Sequence, residues 1–279
     1  MSIIVQNLSY TYMKGSPFER IALKNINLKI NTGELVGIIG HTGSGKSTLV
    51  QHFNGLFKPS SGKVYINGVD TCSKKLKDLR KQVGIVFQYP EHQLFEDTVY
   101  KEIAFGLIKQ GIGDREIEAR IRKTISLVGL DDSILQSSPF ELSGGQKRRV
   151  AIASVLAMSP KILILDEPTA GLDPIGRNEV YKFISSYRRE VGATVILISH
   201  SMEEIAGLAD RIIVMNKGFI DMDGTAGEIY KESDRLESIG LSVPQITCFL
   251  KKLKEFVPEI NDEIFTVKEA KEEIMRYIK

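Results

Sequence analysis

The stretch Gly40-His41-Thr42-Gly43-Ser44-Gly45-Lys46-Ser47 constrains this chain most, because it fits GxxxxGK[ST] between an apolar run and helix-compatible sequence. Leu35-Val36-Gly37-Ile38-Ile39 before it reads as a strand; the helix after it is expected from Lys46 to about Asn54, stopping near Gly55. Glycines permit the tight turn in which successive N–H groups converge on a phosphate at a helix N-terminus. In such a loop Lys46 faces the β- and γ-phosphates of a nucleotide, and the Ser47 hydroxyl holds Mg2+. An incidental Gly/Ser-rich turn has no need of the Lys-Ser pair that closes this one.

Leu142-Ser143-Gly144-Gly145-Gln146 lies well downstream, ahead of a helical run over 146–157. Ser143, Gly144 and Gly145 would then sit at a positive helix end that favours an anion. Alone, the segment would suit a linker or a helix cap equally well. It is followed by Lys161-Ile162-Leu163-Ile164-Leu165-Asp166-Glu167-Pro168, an apolar run ending in two carboxylates. That pattern reads as a buried parallel strand whose C-terminal end reaches the ligand. Asp166 suits Mg2+, through water, and Glu167 suits the water that attacks the γ-phosphate. Two adjacent acids after a buried strand are costly unless they are used. Gly171-Leu172-Asp173 comes next, and then Thr194-Val195-Ile196-Leu197-Ile198-Ser199-His200, another apolar strand ending in polar residues.

In this order the motifs resemble the ATP-binding-cassette (ABC) ATPases, over nearly all of residues 3–224. The resemblance implies an α/β fold: a P-loop NTPase nucleotide-binding domain with a RecA-like parallel-sheet core, an N-terminal antiparallel β subdomain and a helical subdomain. It implies ATP and Mg2+ as ligands, and ATP hydrolysis as the activity. Gly40, His41, Thr42, Gly43, Ser44, Gly45, Lys46, Ser47 and Thr48 become the phosphate-binding set, although the His41 ring, like that of His92, reads as solvated. Gln88, after the strand 83–87, corresponds to the residue that senses Mg2+ and the lytic water. Ser47, Gln88 and Asp166 are thus the expected metal set, and Glu167, His200, Gln88 and Lys46 the catalytic one. His200 corresponds to the residue that touches the γ-phosphate, and Asp173 to one that communicates between protomers. Tyr12 corresponds to the aromatic that stacks on adenine, but Tyr10 shares its strand face and spacing does not choose between them. Ser143, Gly144, Gly145 and Gln146 would cover the phosphates held by another protomer, so the chain is expected to act as a dimer that closes on ATP and opens after hydrolysis.

Composition sets limits on these expectations. The 279 residues suffice for one large α/β domain with a modest extension. A net charge of +2 supplies no basic field for nucleic acid. Cys72 and Cys248 have no metal-like spacing and read as reduced thiols of a cytosolic protein. No apolar run approaches the roughly 20 residues that span a bilayer, and Met1-Ser2-Ile3-Ile4-Val5-Gln6 is no signal peptide. If the chain powers transport, it is peripheral, and the channel is another chain. Residues 3–30 alternate like antiparallel strands, with a loop at Lys14-Gly15-Ser16-Pro17, and Val64-Tyr65-Ile66-Asn67-Gly68 adds a strand and turn. Residues 98–139 read as mostly helical, with Ile117, Ile121, Thr124 and Val128 on one face and Gly129 as a stop. This helical subdomain extends over about 98–157, and the parallel core resumes to Ile220.

Tyr89-Pro90-Glu91-His92-Gln93-Leu94-Phe95 is similar to the same stretch in the ATPases of energy-coupling-factor (ECF) transporters, the EcfA/CbiO family. The glycine-rich loop and Tyr12-Met13-Lys14-Gly15-Ser16-Pro17-Phe18-Glu19 resemble its A-prime-type subunit. This implies uptake of vitamins or of cobalt and nickel ions at the cytoplasmic face of the cell membrane. It also implies three partners: a second ABC ATPase (a heterodimer, with a homodimer left open), a membrane coupling protein of EcfT type and a substrate-binding membrane subunit. Segment 88–105 would receive the coupling helices, with Glu91 and Glu96 as attractors of basic residues or simply solvated acids. An importer for peptides, amino acids or phosphate that depends on a binding protein would differ in its membrane partner and not in its ATP chemistry. A chromosome-maintenance ABC protein would need a coiled-coil insertion for which there is no room, and a ribosome-acting factor would need two cassettes.

Residues 1–224 are therefore expected to form the nucleotide-binding domain, and 225–279 a helical extension. In the extension Ile246, Phe249, Leu250, Leu253, Phe256 and Val257 make one helical stripe. Val267, Ala270, Ile274, Tyr277 and Ile278 make another, opened by a Thr266–Glu269 capping box. Helices this short need a packing surface, either the partner ATPase, as the resemblance implies, or their own chain.

Overall fold

Short runs of consecutive apolar residues become strands buried on both faces, and their alternation splits them between two cores. The computed structural model describes residues 3–73 and 76–277. Along it come β1 (Ile3–Tyr12), β2 (Arg20–Ile30), β3 (Leu35–Ile39), α1 (Lys46–Phe53), β4 (Ser61–Ile66), β5 (Val69–Asp70), α2 (Leu76–Gln82) and β6 (Val83–Val86). Then follow α3 (Val99–Gln110), α4 (Asp114–Leu127) and α5 (Gly144–Ala157). Next are β7 (Ile162–Asp166), α6 (Pro174–Val191), β8 (Thr194–Ile198), α7 (Met202–Leu208), β9 (Arg211–Asn216) and β10 (Phe219–Gly224). The last helices are α8 (Ala226–Lys231), α9 (Ser233–Ser238), α10 (Gln245–Leu253) and α11 (Val267–Ile274).

A six-stranded sheet of order β10-β9-β3-β8-β7-β6 forms the centre. On one face Leu35, Ile39, Leu163, Leu165, Val195, Leu197, Ile212 and Val214 meet the helical subdomain and α6. On the other, Val36, Ile38, Ile162, Ile164, Ile196, Ile198, Ile213 and Met215 meet α1 and the four-stranded antiparallel sheet β2-β1-β4-β5. The core is not parallel to its end: β10 pairs antiparallel with β9. The hairpin turns through Lys217 (φ 48°) and Gly218 (φ 88°), both left-handed, which suits the right-handed twist of the flanking strands.

The helical subdomain is α-helical to Leu127 and continues in two short 3-10 turns, at 132–136 and 139–141. Gly129 stands at the end of α4 with φ 68°, and Ile117, Ile121, Thr124 and Val128 are all buried. After Gly224, Ile229, Tyr230, Leu236, Leu241 and Val243 still belong to the main core. A separate small cluster then gathers Leu250, Ile260, Ile264 and Ala270, with Ile246, Leu253, Val257 and Ile274 against it. Thr247 Oγ1 donates to the Ile264 carbonyl at 2.6 Å, and the Tyr230 and Phe265 rings, 5.2 Å apart, join cluster to core. Thus Ile246, Leu250, Leu253 and Val257 of the first stripe and Ala270 and Ile274 of the second pack within the chain, while Phe249, Phe256, Val267 and Tyr277 stay exposed. Ile278 lies outside the described residues.

Candidate active site

Four of the sequence motifs converge because each lies at the C-terminal end of a parallel strand, where open α/β sheets bind ligands. The glycine-rich loop leaves β3, Gln88 lies just beyond β6, Asp166 ends β7 with Glu167 next to it, and His200 follows β8. β3 lies between β8 and β9, with β7 beyond β8 and β6 beyond β7.

Gly40 is required at the loop entry: its φ is 152°, and a Cβ there would lie 2.3 Å from the Met215 carbonyl oxygen. Gly45, at φ 107°, caps α1, and Ser44 is fully buried beneath the loop. Thr42 and Gly43 are exposed, and the His41 ring folds back on the Thr42 carbonyl at 2.8 Å rather than standing free in solvent. Lys46 Nζ donates to the carbonyls of Gly40 (2.6 Å) and His41 (3.1 Å). Burial pushes its pKa down, against the charges of Glu167 and Asp166. Burial pushes the Asp166 carboxyl up, countered by a hydrogen bond from Ser47 and by the charges of Lys46 and His200.

Glu167 holds the cluster together. Its Oε1 lies 2.7 Å from His200 Nε2, and its Oε2 accepts from Gln88 Nε2 at 3.1 Å. Its backbone is left-handed at φ 52°, a conformation that costs a non-glycine residue about 1 kcal/mol or more and that collects at functional sites. Tyr12 lies next to the loop, its hydroxyl 3.0 Å from Thr48 Oγ1. Tyr10 packs behind it, stacked on Phe57 at 5.0 Å and edge-on to buried His52. Tyr12 thus meets the first turn of α1, beside the phosphate loop, and Tyr10 meets its last turn.

The second motif stands apart from this cluster. Ser143 Oγ accepts from the Gln146 amide (3.3 Å), and Gln146 Oε1 accepts from the Ser143 amide (3.0 Å), a reciprocal cap on α5. Gln146 is therefore occupied with capping, and α5 begins at Gly144 rather than at Gln146. Ser143 and Gly144 are exposed, and among the described residues the amides of Gly144 and Gly145 donate to nothing in their own chain. Asp173 caps α6, accepting from the Gly176 amide at 2.7 Å.

A family model described as ABC transporter matches residues 23–170. The chain is 61% identical to the energy-coupling factor transporter ATP-binding protein EcfA2 of Acetivibrio thermocellus, over 100% of this chain and 99% of that protein. The solved cbiO1 of Clostridium perfringens, part of the ABC transporter complex cbiONQ, is 36% identical, covers 92% of this chain and 98% of its own, and superposes with a TM-score of 0.76. The cassette MJ0796, solved as a dimer in a post-hydrolysis state with ADP and Pi, is 31% identical over 80% of this chain and 98% of its own, with a TM-score of 0.73.

The chain belongs to the ATP-binding proteins of energy-coupling factor ABC transporters.

It is an ATPase. Two parts of this ABC ATPase were not singled out in its sequence. Glu204 joins the strand end to the turn after Glu167: it accepts from Ser199 Oγ (2.7 Å) and Thr169 Oγ1 (3.2 Å). The only signal for it was local, the Ser201 cap that accepts from the Glu204 amide. Arg148, 5% exposed, forks onto Glu91 through Nε (3.1 Å) and a terminal nitrogen (2.8 Å). Glu91 is thus engaged within its own chain and is not a solvated acid awaiting a basic partner.

Proposed function

We propose that this ATPase is the energy-coupling subunit of an importer for vitamins or for cobalt or nickel ions, bound peripherally at the cytoplasmic face of the membrane. The observation that carries the reading is the Gln88–Glu167–His200 cluster at the strand ends, together with a signature surface that finds no ligand in its own chain.

ATP would lie with its phosphates on the loop 40–48 and its adenine on Tyr12. The Ser47 hydroxyl is near enough to the Asp166 carboxyl to counter the effect of its burial. Two adjacent oxygen donors fit Mg2+, with Gln88 as the third member of the set. When bound, Mg2+ neutralises phosphate charge. Lys46 gives up two carbonyl oxygens for phosphate oxygens. Glu167 orients the attacking water and accepts its proton, which requires His200 to release the carboxylate and turn to the γ-phosphate. Ser143, Gly144 and Gly145 of one protomer close over the phosphates of the other, so hydrolysis loosens the pair.

The pairing expected is with a second ABC ATPase, in a complex with a coupling protein of EcfT type and a substrate-binding membrane subunit. A groove between β6, α3 and α5, lined by Ile85, Leu94, Phe95, Phe105 and Met158, supports docking of an apolar coupling helix. Phe95 is 58% exposed there and meets Phe105 edge-on at 5.0 Å. The exposed Phe249 and Phe256 of the extension support a contact with the partner ATPase.

The test is affinity purification of the tagged chain from detergent-solubilised membranes, with the co-purifying proteins identified by mass spectrometry. A second ATPase and a small multi-helix membrane protein are expected. A self-pair would replace the heterodimer. A binding protein with two permeases would overturn the importer type and leave the ATPase in place.

A further inference from the structure

Arg148 stands two residues beyond Gln146 on α5, within the run Lys147-Arg148-Arg149, yet it is the buried member of the three. Its guanidinium contacts three groups, all on loops that border the active site. Two nitrogens fork onto the Glu91 carboxylate, at 3.1 and 2.8 Å. A third donates to the carbonyl of Ala170. The ring of Tyr89 lies over it at 5.8 Å. Tyr89 directly follows Gln88 and is itself left-handed at φ 56°. Ala170 closes the turn that begins at Glu167, donating its amide to the Glu167 carbonyl at 3.2 Å.

One side chain therefore fixes the residue after Gln88 and the turn after Glu167 to the same helix whose first turn carries Ser143 and Gly144. A buried ion pair is a poor way to gain stability, because desolvation offsets much of the attraction. It is a good way to fix geometry, because a planar fork bonded on three sides permits little displacement of either loop. The segment reached through Glu91 leads straight into the exposed Phe95 of the α3–α5 groove. Any shift of that segment must carry the Glu167 turn with it or break the Arg148 contacts.

We infer that Arg148 is a positioning residue for hydrolysis: by holding Glu91 and the Ala170 carbonyl together it sets Gln88 and Glu167 in register, and it relays displacement of the groove to that pair. The inference rests on the reading of Glu167 and Gln88 as the hydrolytic pair. It assigns no contact with nucleotide to Arg148 itself.

The test is steady-state ATP hydrolysis by the full chain in its purified complex, for Arg148→Ala, Arg148→Lys, Glu91→Gln and Arg148→Ala/Glu91→Gln, with Glu167→Gln alongside. Displacement of a reacting group by about 1 Å costs on the order of a hundredfold. Arg148→Ala is accordingly expected to lower kcat about ten- to a hundredfold with KM for ATP within about twofold. Arg148→Lys keeps the charge but not the fork and recovers only part of the loss. Glu91→Gln shows a smaller loss of kcat, and the double variant is no slower than Arg148→Ala, as for two ends of one link. Unchanged kcat in Glu91→Gln and Arg148→Ala, or losses that simply add, would overturn the proposal. If Arg148→Ala does not fold, Glu91→Gln decides alone: a fall in kcat at constant KM supports the link, and wild-type kcat ends it. Full turnover in Glu167→Gln would instead remove the hydrolytic pair, a failure distinct from that of Arg148.

Discussion

The phosphate-loop half of the site and the signature half are built on opposite plans. In the first, the charged side chains already have partners from their own chain: Lys46 on loop carbonyls, Asp166 beside Ser47, and Glu167 between Gln88 and His200. In the second, Ser143 and Gln146 satisfy only each other, and the amides of Gly144 and Gly145 at a positive helix end face outward. One half is pre-assembled and must open its internal bonds to admit a ligand. The other offers donors that only a second molecule can bring to use. On the proposed function, the two plans belong together: the signature half of one ATPase completes the phosphate-loop half of its partner.

The comparison breaks most visibly at Glu167. Glu167→Gln keeps the shape and the nucleotide contacts but loses the base, so phosphate release should fall by about a thousandfold. ATP should still bind, and the variant should elute as a closed pair in its presence. Wild-type turnover would remove Glu167 from its role. Gly144→Asp probes the other half. A Cβ at Gly144 meets nothing within 4 Å, and an acid in the first turn suits the helix, so folding is unaffected or slightly favoured. The same charge repels a phosphate brought in by the partner. Hydrolysis should drop by about a hundredfold, the scale of one lost oxyanion donor, while ATP affinity of the isolated chain stays level. Equal loss of affinity in the isolated chain would mean that the two halves serve one molecule.

Much of this was legible from sequence because the relevant residues obey local rules. Glycine positions mark the phosphate loop, apolar runs mark strands buried on both faces, and the candidate site residues sit where those runs stop. What escaped is what depends on distant partners. Lys147-Arg148-Arg149 looks like a solvated basic face, and nothing local says that its middle member is buried against Glu91 and Ala170. The antiparallel β10 was within reach, since Asn216-Lys217-Gly218 is a hairpin-like turn, but a regular βα alternation hid it. In the extension, periodicity defined the stripes and could not divide them between an inner and an outer face.

That division yields a smaller effect. Phe249 and Phe256 are 51% and 81% exposed, whereas Leu250 beside them is fully buried. Phe249→Ser with Phe256→Ser should weaken pairing of the two ATPases about tenfold, read as a dissociation constant, and leave the melting temperature unchanged. Leu250→Ala should do the reverse, costing roughly 2–5 kcal/mol of local stability. Equal pairing in the double variant would confine the extension to its own chain.

The smallest effect separates pre-assembly from mere proximity. Burial pushes the Glu91 carboxyl up, but hydrogen bonds from Arg148 and the backbone, with the charges of Arg148 and His92, outweigh it and hold the group below its ordinary value of 4.5. A depressed carboxylate contributes stability that is fully present above its unfolded value and disappears as pH falls through its folded one. Chemical denaturation of wild type and Glu91→Gln should therefore show a constant stability gap at neutral pH, which narrows once the pH drops below 4.5. A link made only of shape would give a gap independent of pH. A gap that closes on acidification shows that ionised Glu91 holds Arg148, and kcat of the wild type should begin to fall over the same interval.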